Sequence, residues 1–176
     1  MNDSLAEVDQ ILRARARALA KVPEHPQAGQ TLELLEFSLA HERYAVETHY
    51  VQEVHALREL TPLPGTPAFV LGIVNLRGRI VPVFDLKKFF DLPEQGLTDL
   101  HRIIVVRGAG VELGLLADVV ASVRSIGIGR LQASLPTLTG IRAQYLKGVT
   151  DERLVVLDLG RVLSDPKIIV NGCAAS

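Results

Sequence analysis

The sequence predicts an all-β protein made of two similar units, each with about five short strands. Apolar and polar side chains alternate with a period close to two between Tyr44 and His55, as expected for half-buried strands. The pattern recurs about 70 residues later, which indicates an internal repeat. The repeat aligns three pairs of apolar residues: Val46 with Leu115, Val51 with Val120, and Val54 with Val123.

A second pair of segments extends this repeat. "GIVNLRGRIVPVFDLKKFF" (72–90) and "GVTDERLVVLDLGRVL" (148–163) both begin with Gly and a β-branched residue and turn on a charged stretch. Both end in Asp-Leu followed by a short helical pattern. The repeat therefore places one unit at residues 31–97 and the other at residues 98–166. Closing each sheet into a barrel would remove its exposed edges.

The chain begins with a predicted helix and linker, residues 1–30. Ser4 and Glu7 have the spacing of a capping box, and Pro23 ends the helical pattern. The stretch that follows contains Pro, Gly and Gln without periodicity and is a linker. The helix over residues 4–22 is interpreted as a solvated extension. The alternatives are a docking helix for a partner and a membrane-surface helix, the latter disfavoured because acidic residues offset the basic ones.

Turn residues separate the strands of the first unit. "AHER" (40–43) is a predicted hairpin turn, and "TPLPGTPAF" (61–69) is a loop because it holds three prolines and a glycine. "GIVNL" and "RIVPVFDL" join at Arg77-Gly78, where Gly78 is suited to a positive φ. Pro82 removes a ladder donor, which indicates an edge strand or a bulge.

Composition excludes several classes of function. The 176 residues are 48% hydrophobic, which favours a packed globule over disorder. A net charge of -1 provides no general attraction to nucleic acid or anionic lipid. The single cysteine, Cys173 in the C-terminal tail (167–176), cannot form an internal disulfide and fits a reducing compartment. We find no signal-peptide pattern and no apolar run near the ~20 residues that span a bilayer. The sequence predicts a soluble cytoplasmic protein.

Three patterns are compatible with a ligand or catalytic site, and each has a structural explanation. His49, Glu53 and His55 are zinc-like ligands, but positions 49 and 53 of one strand lie roughly 13 Å apart. "GAGVELG" (108–114) is close to a dinucleotide fingerprint, but a strand follows it, so a hairpin turn is favoured. Four acids are read as helix caps and turn residues: Asp85, Asp118, Asp151 and Asp158. We therefore expect no catalytic residues, no metal ligands, no cofactor and no enzyme activity.

The segment "NLRG" (75–78) places polar side chains at the tip of an apolar hairpin. Asn75 can hydrogen-bond within its own turn. Arg77 has a fixed charge and five donors, so its burial would require a carboxylate, and Glu53 is the candidate. An exposed Arg77 among Val and Ile would be a good interface anchor.

These segments resemble the CheW family, the scaffold that couples bacterial chemoreceptors to their histidine kinase. The most specific match is "TPAFVLGIVNLRGRIVPVFDL" (66–86), through eight residues: Gly72, Asn75, Leu76, Arg77, Gly78, Pro82, Asp85 and Leu86. "RYAVETHYVQEV" (43–54) matches through five more: Tyr44, Val46, Val51, Glu53 and Val54. "LADVVASVRSI" (116–126) and "YLKGVTDERLVVLDLGRVL" (145–163) fit the second half, so the resemblance covers about residues 32–165.

The resemblance implies one CheW-like domain, residues 31–166, with two five-stranded SH3-like barrels packed around a shared core. Its partners would be the cytoplasmic tip of chemoreceptors, docked in the groove between the barrels, and the regulatory domain of a CheA-type histidine kinase, bound at the barrel ends. It implies a free-standing adaptor at receptor arrays beneath the inner membrane. Five residues are placed on partner surfaces or beneath them: Val51, Glu53, Gly72, Asn75 and Arg77.

One other class of function stays open at this point. A small-molecule- or metal-binding β-barrel would use "GAGVELG" or the set His49, Glu53 and His55 as its site, and would retain a nucleotide or metal on purification.

Overall fold

The computed structural model describes residues 29–94, 96–98, 100–133 and 141–172, and the predicted N-terminal helix lies outside them. The described strands are β1 (Thr31–Leu39), β2 (Glu42–Glu47), β3 (Val51–Ala56), β4 (Val70–Leu76), β5 (Arg79–Phe84), β6 (Arg102–Gly108), β7 (Val111–Ala117), β8 (Val119–Gly127), β9 (Leu146–Val149) and β10 (Val155–Leu157). The helices are α1 (Leu86–Phe89), α2 (Ile141–Gln144), α3 (Leu159–Leu163) and α4 (Pro166–Gly172). No helix in these ranges is both long and apolar enough to cross a bilayer.

The strands form two five-stranded sheets, which confirms the predicted all-β class. Sheet A has the order β8-β1-β2-β10-β9, and sheet B has the order β3-β6-β7-β5-β4. Exchanging β1–β5 for β6–β10 converts one order into the other. The internal repeat is therefore a repeat of structure.

The division into consecutive units, residues 31–97 and 98–166, is not how the sheets are built. Each sheet takes two strands from one half of the chain and three from the other. After β2 the chain leaves sheet A, and β3 pairs with β6 of the second half; β8 likewise returns to pair with β1. A sequence repeat records which strands are alike, but it does not record which copy each strand pairs with.

Each sheet closes on itself through a pair of backbone hydrogen bonds at its edges, and we call the closed sheets barrel A and barrel B. In sheet B, Thr61 follows β3 and exchanges N–H···O bonds of 2.9 and 2.8 Å with Ile73 of β4. In sheet A, Gln132 follows β8 and exchanges two bonds of 2.9 Å with Val149 of β9. These bonds pair strand edges that would otherwise be exposed.

The buried apolar side chains form three clusters: one inside each barrel and a shared core between the barrels. Most strands therefore have buried side chains on both faces. Leu34 of β1 faces the interior of barrel A, and its neighbour Leu35 faces the space between the barrels. Ile103 and Ile104 of β6 divide in the same way between barrel B and the shared core. Burial on both faces explains why "LELLEF" and "RIIVV" read as nearly continuous apolar runs.

Three hairpins turn on two residues that both have positive φ, as type I′ turns require. The pairs are Ala40-His41, Arg77-Gly78 and Ala109-Gly110. The last of these confirms that "GAGVELG" is a hairpin rather than a nucleotide loop. Asp85 and Asp158 cap α1 and α3 by accepting hydrogen bonds from the N–H of Lys87 and of Arg161, as predicted.

Pro82 does not lie on an edge strand, because β5 has β7 on one side and β4 on the other. However, β5 pairs with β7 only at Val83 and Phe84, so the missing N–H of Pro82 interrupts no ladder there. The expectation of an edge strand or a bulge at Pro82 was therefore wrong; the bulge of this hairpin lies in β4, where the register shifts between Val70 and Gly72.

Candidate functional site

The β4–β5 hairpin presents a rigid, charged tip. Arg77 and Gly78 have φ values of 54° and 85°, and the Asn75 Oδ1 accepts a 2.8 Å hydrogen bond from the Gly78 N–H. Asn75 therefore serves its own turn, as the sequence allowed. The Arg77 side chain is 83% exposed, so the hairpin holds a guanidinium out in solvent.

Glu53 lies on β3, the edge of sheet B opposite β4, and barrel closure brings it to this hairpin. Its nearest cation is not Arg77 but Arg79, whose Nη2 lies 2.5 Å from Glu53 Oε1. Arg77 Nη1 is 4.0 Å from Glu53 Oε2, at the outer limit of an ion pair. The predicted pairing of Glu53 with Arg77 is therefore at the limit of an ion pair, and the closest partner of Glu53 is Arg79, the second arginine of the hairpin.

His55 also contacts Glu53, with its Nε2 2.8 Å from Oε2. This contact is the largest influence on the Glu53 carboxyl and lowers its pKa. Desolvation, the next largest influence, opposes it, and the charges of His55, Arg79 and Arg77 lower the pKa further. Glu53 therefore stays ionised over the neutral pH range, and its two oxygens are occupied by different partners.

The charged contacts continue across the end of barrel B. Arg79 Nη1 lies 3.1 Å from both carboxylate oxygens of Glu112 on β7. Arg107 on β6 reaches the same carboxylate through Nε at 3.0 Å and Nη2 at 2.5 Å. We call this set, His55, Glu53, Arg79, Glu112 and Arg107, the barrel B network. It links four strands at the barrel end beside Arg77.

The matching end of barrel A carries a similar network, in which Arg124 contacts two glutamates. Glu152 precedes β10 and accepts hydrogen bonds of 3.0 Å from both Arg124 on β8 and Arg130. Arg124 also reaches Glu36, which binds Arg43 at 2.6 Å. Both barrel ends thus carry a network with an arginine between two glutamates, Arg79 in barrel B and Arg124 in barrel A.

The structure places Val51 and Gly72 beneath the surface rather than on it. Val51 is partly buried and packs against the shared core. Gly72 is buried, and a Cβ there would run into the carbonyl of Thr61. Gly72 therefore allows the edge bond that closes the barrel.

His49 does not join Glu53 and His55. It lies in the turn after β2, with Nδ1 3.3 Å from Glu47 Oε2 and its ring against Tyr50. Within the described ranges, no three His, Cys, Asp or Glu side chains come together as a metal site would require.

Two further features were not singled out as site residues from the sequence. Arg79 lies only two residues after Arg77, but nothing local shows that barrel closure turns it toward Glu53. Val54 and Val123 are 40% and 59% exposed on β3 and β8. The alignment of Val54 with Val123 in the repeat was the available signal.

We expect a double-mutant cycle of unfolding free energies to give a larger coupling for Glu53 with Arg79 than for Glu53 with Arg77. The reason is the separation, 2.5 Å against 4.0 Å, together with the greater exposure of Arg77. Urea unfolding of Glu53→Gln, each Arg→Gln variant and both double variants measures the two couplings. Equal couplings would contradict the assignment of Arg79 as the main partner.

The fold and this surface agree with comparisons to known proteins. A family model described as CheW-like domain matches residues 33–167. A chemotaxis protein CheW from Treponema pallidum is 30% identical over 146 residues, covering 79% of this chain and 86% of that protein. One from Thermotoga maritima is 32% identical, covering 76% and 88%. The crystal structure of the scaffolding protein TtCheW from Thermoanaerobacter tengcongensis superposes with a TM-score of 0.69 at 33% identity, covering 78% of this chain and 96% of that one.

Two linked five-stranded barrels define the class of fold. The chain belongs to the CheW-like family, whose relatives named above are chemotaxis and scaffolding proteins.

Proposed function

We propose that this protein is a non-enzymatic adaptor that couples chemoreceptors to a CheA-type histidine kinase in the cytoplasm. Family membership over most of the chain supports the class of function. The observation that carries the kinase interface is the β4–β5 hairpin: a fixed turn that presents an exposed guanidinium at the end of a barrel. Arginine in such a setting is a favoured interface anchor.

Two roles follow for the five predicted partner residues. Arg77 contacts the kinase directly, because its side chain is 83% exposed and has no partner closer than 4.0 Å among the described contacts. Asn75 fixes the turn, Glu53 belongs to the network that supports the hairpin, and Gly72 and Val51 support the strands beneath. The proposed interface is therefore the Arg77 guanidinium on a hairpin whose backbone conformation is already fixed in the free protein, which lowers the ordering cost of binding.

The receptor interface is proposed for the groove between the barrels. Val54 pairs with Ile104 and Val123 pairs with Leu35, so each exposed valine lies beside a residue of the shared core. The apolar surface between the barrels thus continues outward along the two strands β3 and β8. An amphipathic helical hairpin, the chemistry of a receptor tip, fits such a surface.

Signalling would proceed by population shift. The receptor state alters contacts at the groove, and the rigid two-barrel body passes the difference to the kinase at the barrel end. Several weak contacts are sufficient because an array keeps the partners at high effective concentration.

Replacing Arg77 with Ala should raise the Kd for the kinase about tenfold while leaving the melting temperature unchanged, because the side chain is exposed and its turn is held by Asn75 and Gly78. The measurement is a pull-down from lysate of the source organism with mass spectrometry, followed by titration of the retained kinase. Arg153→Ala is the matched control, because Arg153 is an exposed arginine with φ of 61° in the turn before β10. Retention of neither a histidine kinase nor chemoreceptors by the intact protein would contradict the proposal.

A further inference from the structure

We infer that Arg79 is a positioning residue: it occupies Glu53 so that the Arg77 guanidinium stays available to a carboxylate of the kinase. The inference deepens the function proposed above and rests on it. Two arginines of one hairpin, Arg77 and Arg79, compete for the Glu53 carboxylate. Their distances from it show which arginine is bound to Glu53 and which is left for a partner.

Each oxygen of Glu53 has a nearest partner other than Arg77 in the free protein. Arg79 Nη2 holds one carboxylate oxygen at 2.5 Å, and His55 Nε2 lies 2.8 Å from the other. Of the two arginines of the hairpin, Arg79 is therefore the one in close contact with this carboxylate. Arg77, at 4.0 Å, is therefore left outside the pair.

Arg79 is also held from its other side. Its Nη1 contacts both oxygens of Glu112 at 3.1 Å, and Arg107 fixes Glu112 in turn. The planar guanidinium thus bridges two carboxylates on different strands, a geometry that a flexible ammonium would not maintain. Single exposed ion pairs contribute little, but a network with shared members keeps its geometry better.

The tip has no such anchoring. Arg77 is 83% exposed against 44% for Arg79, and its backbone is confined by the two positive φ values and by the Asn75 hydrogen bond. The turn fixes the position of the Arg77 Cα. Among the described contacts, none within normal hydrogen-bond distance fixes its guanidinium. A carboxylate brought by a partner would find the guanidinium solvated and unpaired at close range.

Loss of Arg79 would change this arrangement. Glu53 Oε1 would lose its closest cation, and Arg77 is the next arginine, only 4.0 Å away. A turn of the Arg77 side chain would then pair it with Glu53 and remove it from the partner surface. The binding defect would come from capture of Arg77 rather than from the loss of a contact to Arg79.

The test compares Arg79→Gln in two backgrounds, native and Glu53→Gln. We expect Arg79→Gln to raise the Kd for the kinase about fivefold or more in the native background. In the Glu53→Gln background it should change the Kd by less than about twofold, because no carboxylate remains to capture Arg77. Arg153→Gln is the control, since Arg153 is an exposed arginine outside the barrel B network. An equal effect of Arg79→Gln in both backgrounds would overturn the inference.

A measurement on the free protein separates this inference from the kinase proposal. Exchange of the Arg77 Nε proton with water, followed by nuclear magnetic resonance, should slow in Arg79→Gln and return to the native rate in the double variant with Glu53→Gln. This result needs no partner, so it stands even if no kinase is bound. An unchanged Arg77 exchange rate in Arg79→Gln would overturn the capture mechanism whatever the Kd values are.

Discussion

Replacing Gly72 with alanine should lower the free energy of unfolding by about 3 kcal/mol or more. Gly72 has a φ of 150°, and a Cβ there would meet the carbonyl oxygen of Thr61, with the Thr61 carbonyl carbon at 2.8 Å and the Pro62 Cα at 2.9 Å. All three are backbone atoms, so a side-chain rotation cannot relieve the overlap. The segment at Thr61 would have to move away, which would break its two hydrogen bonds to Ile73 and open barrel B.

Urea unfolding followed by circular dichroism measures this loss. Gly127→Ala is the matched control, because Gly127 lies at the end of β8 with φ of -69° and open space around its Cα. The control should lie within about 0.5 kcal/mol of the native protein. A Gly72→Ala variant as stable as Gly127→Ala would show that the Thr61–Ile73 bonds do not hold the barrel closed.

Replacing Asp118 with asparagine should cost about 3–5 kcal/mol, the usual cost of removing one member of a buried ion pair. Lys87 of α1 is 1% exposed, and its Nζ lies 2.6 Å from Asp118 Oδ1. The His101 Nε2 lies 3.0 Å from the same oxygen, and Asp118 Oδ2 accepts a 2.8 Å hydrogen bond from the Ala40 N–H. Asparagine keeps the acceptor for Ala40 but leaves the ammonium buried without its counterion.

The control for this prediction is the double variant Lys87→Met with Asp118→Asn. Methionine fills a similar volume without a charge, so most of the lost stability should return. Thermal unfolding of the single and double variants provides the comparison. If the double variant were no more stable than Asp118→Asn, the loss would come from the Ala40 or His101 contacts rather than from the unpaired Lys87.

The same carboxyl makes part of the stability depend on pH. Burial by itself raises the pKa of Asp118, but the Lys87 hydrogen bond, the Ala40 N–H and the charges of Lys87 and His101 together lower it below its ordinary value. Because the folded-state pKa lies below the unfolded one, the contribution of Asp118 is complete above about pH 4 and is lost as the pH falls through the folded value. The acid limb of the stability curve should be flatter in Asp118→Asn.

Local features of the chain were predictable from sequence because each depends on residues a few positions apart. Alternation with period two predicted β2 and β3, although a 3-10 turn at Thr48–Tyr50 separates them, and Gly78 predicted the turn at Arg77. Asp85 predicted a helix cap that reaches only to Lys87. The repeat was visible for the same reason: two copies of one local pattern can be compared without knowing where they lie in space.

Which charged residues meet was not predictable from sequence, because these contacts join distant parts of the chain. Glu53 and Arg79 are 26 residues apart and lie near opposite edges of sheet B, so barrel closure decides their separation. Lys87 and Asp118 are 31 residues apart, and only packing of α1 buries the lysine. The chain reads "KK" at 87–88, with no local sign of which one is buried.

The sequence by itself determined the strands, the turns, the helix caps and the hairpin that bears Arg77, since hydrogen-bonding geometry and side-chain period act over a few residues. Tertiary structure alone decided that β3 and β8 exchange between the sheets, that Arg79 rather than Arg77 is the main partner of Glu53, and that Lys87 is buried on Asp118. These outcomes depend on which surfaces meet when the barrels close and pack. The two ion pairs join residues 26 and 31 positions apart, which local sequence patterns do not relate to one another.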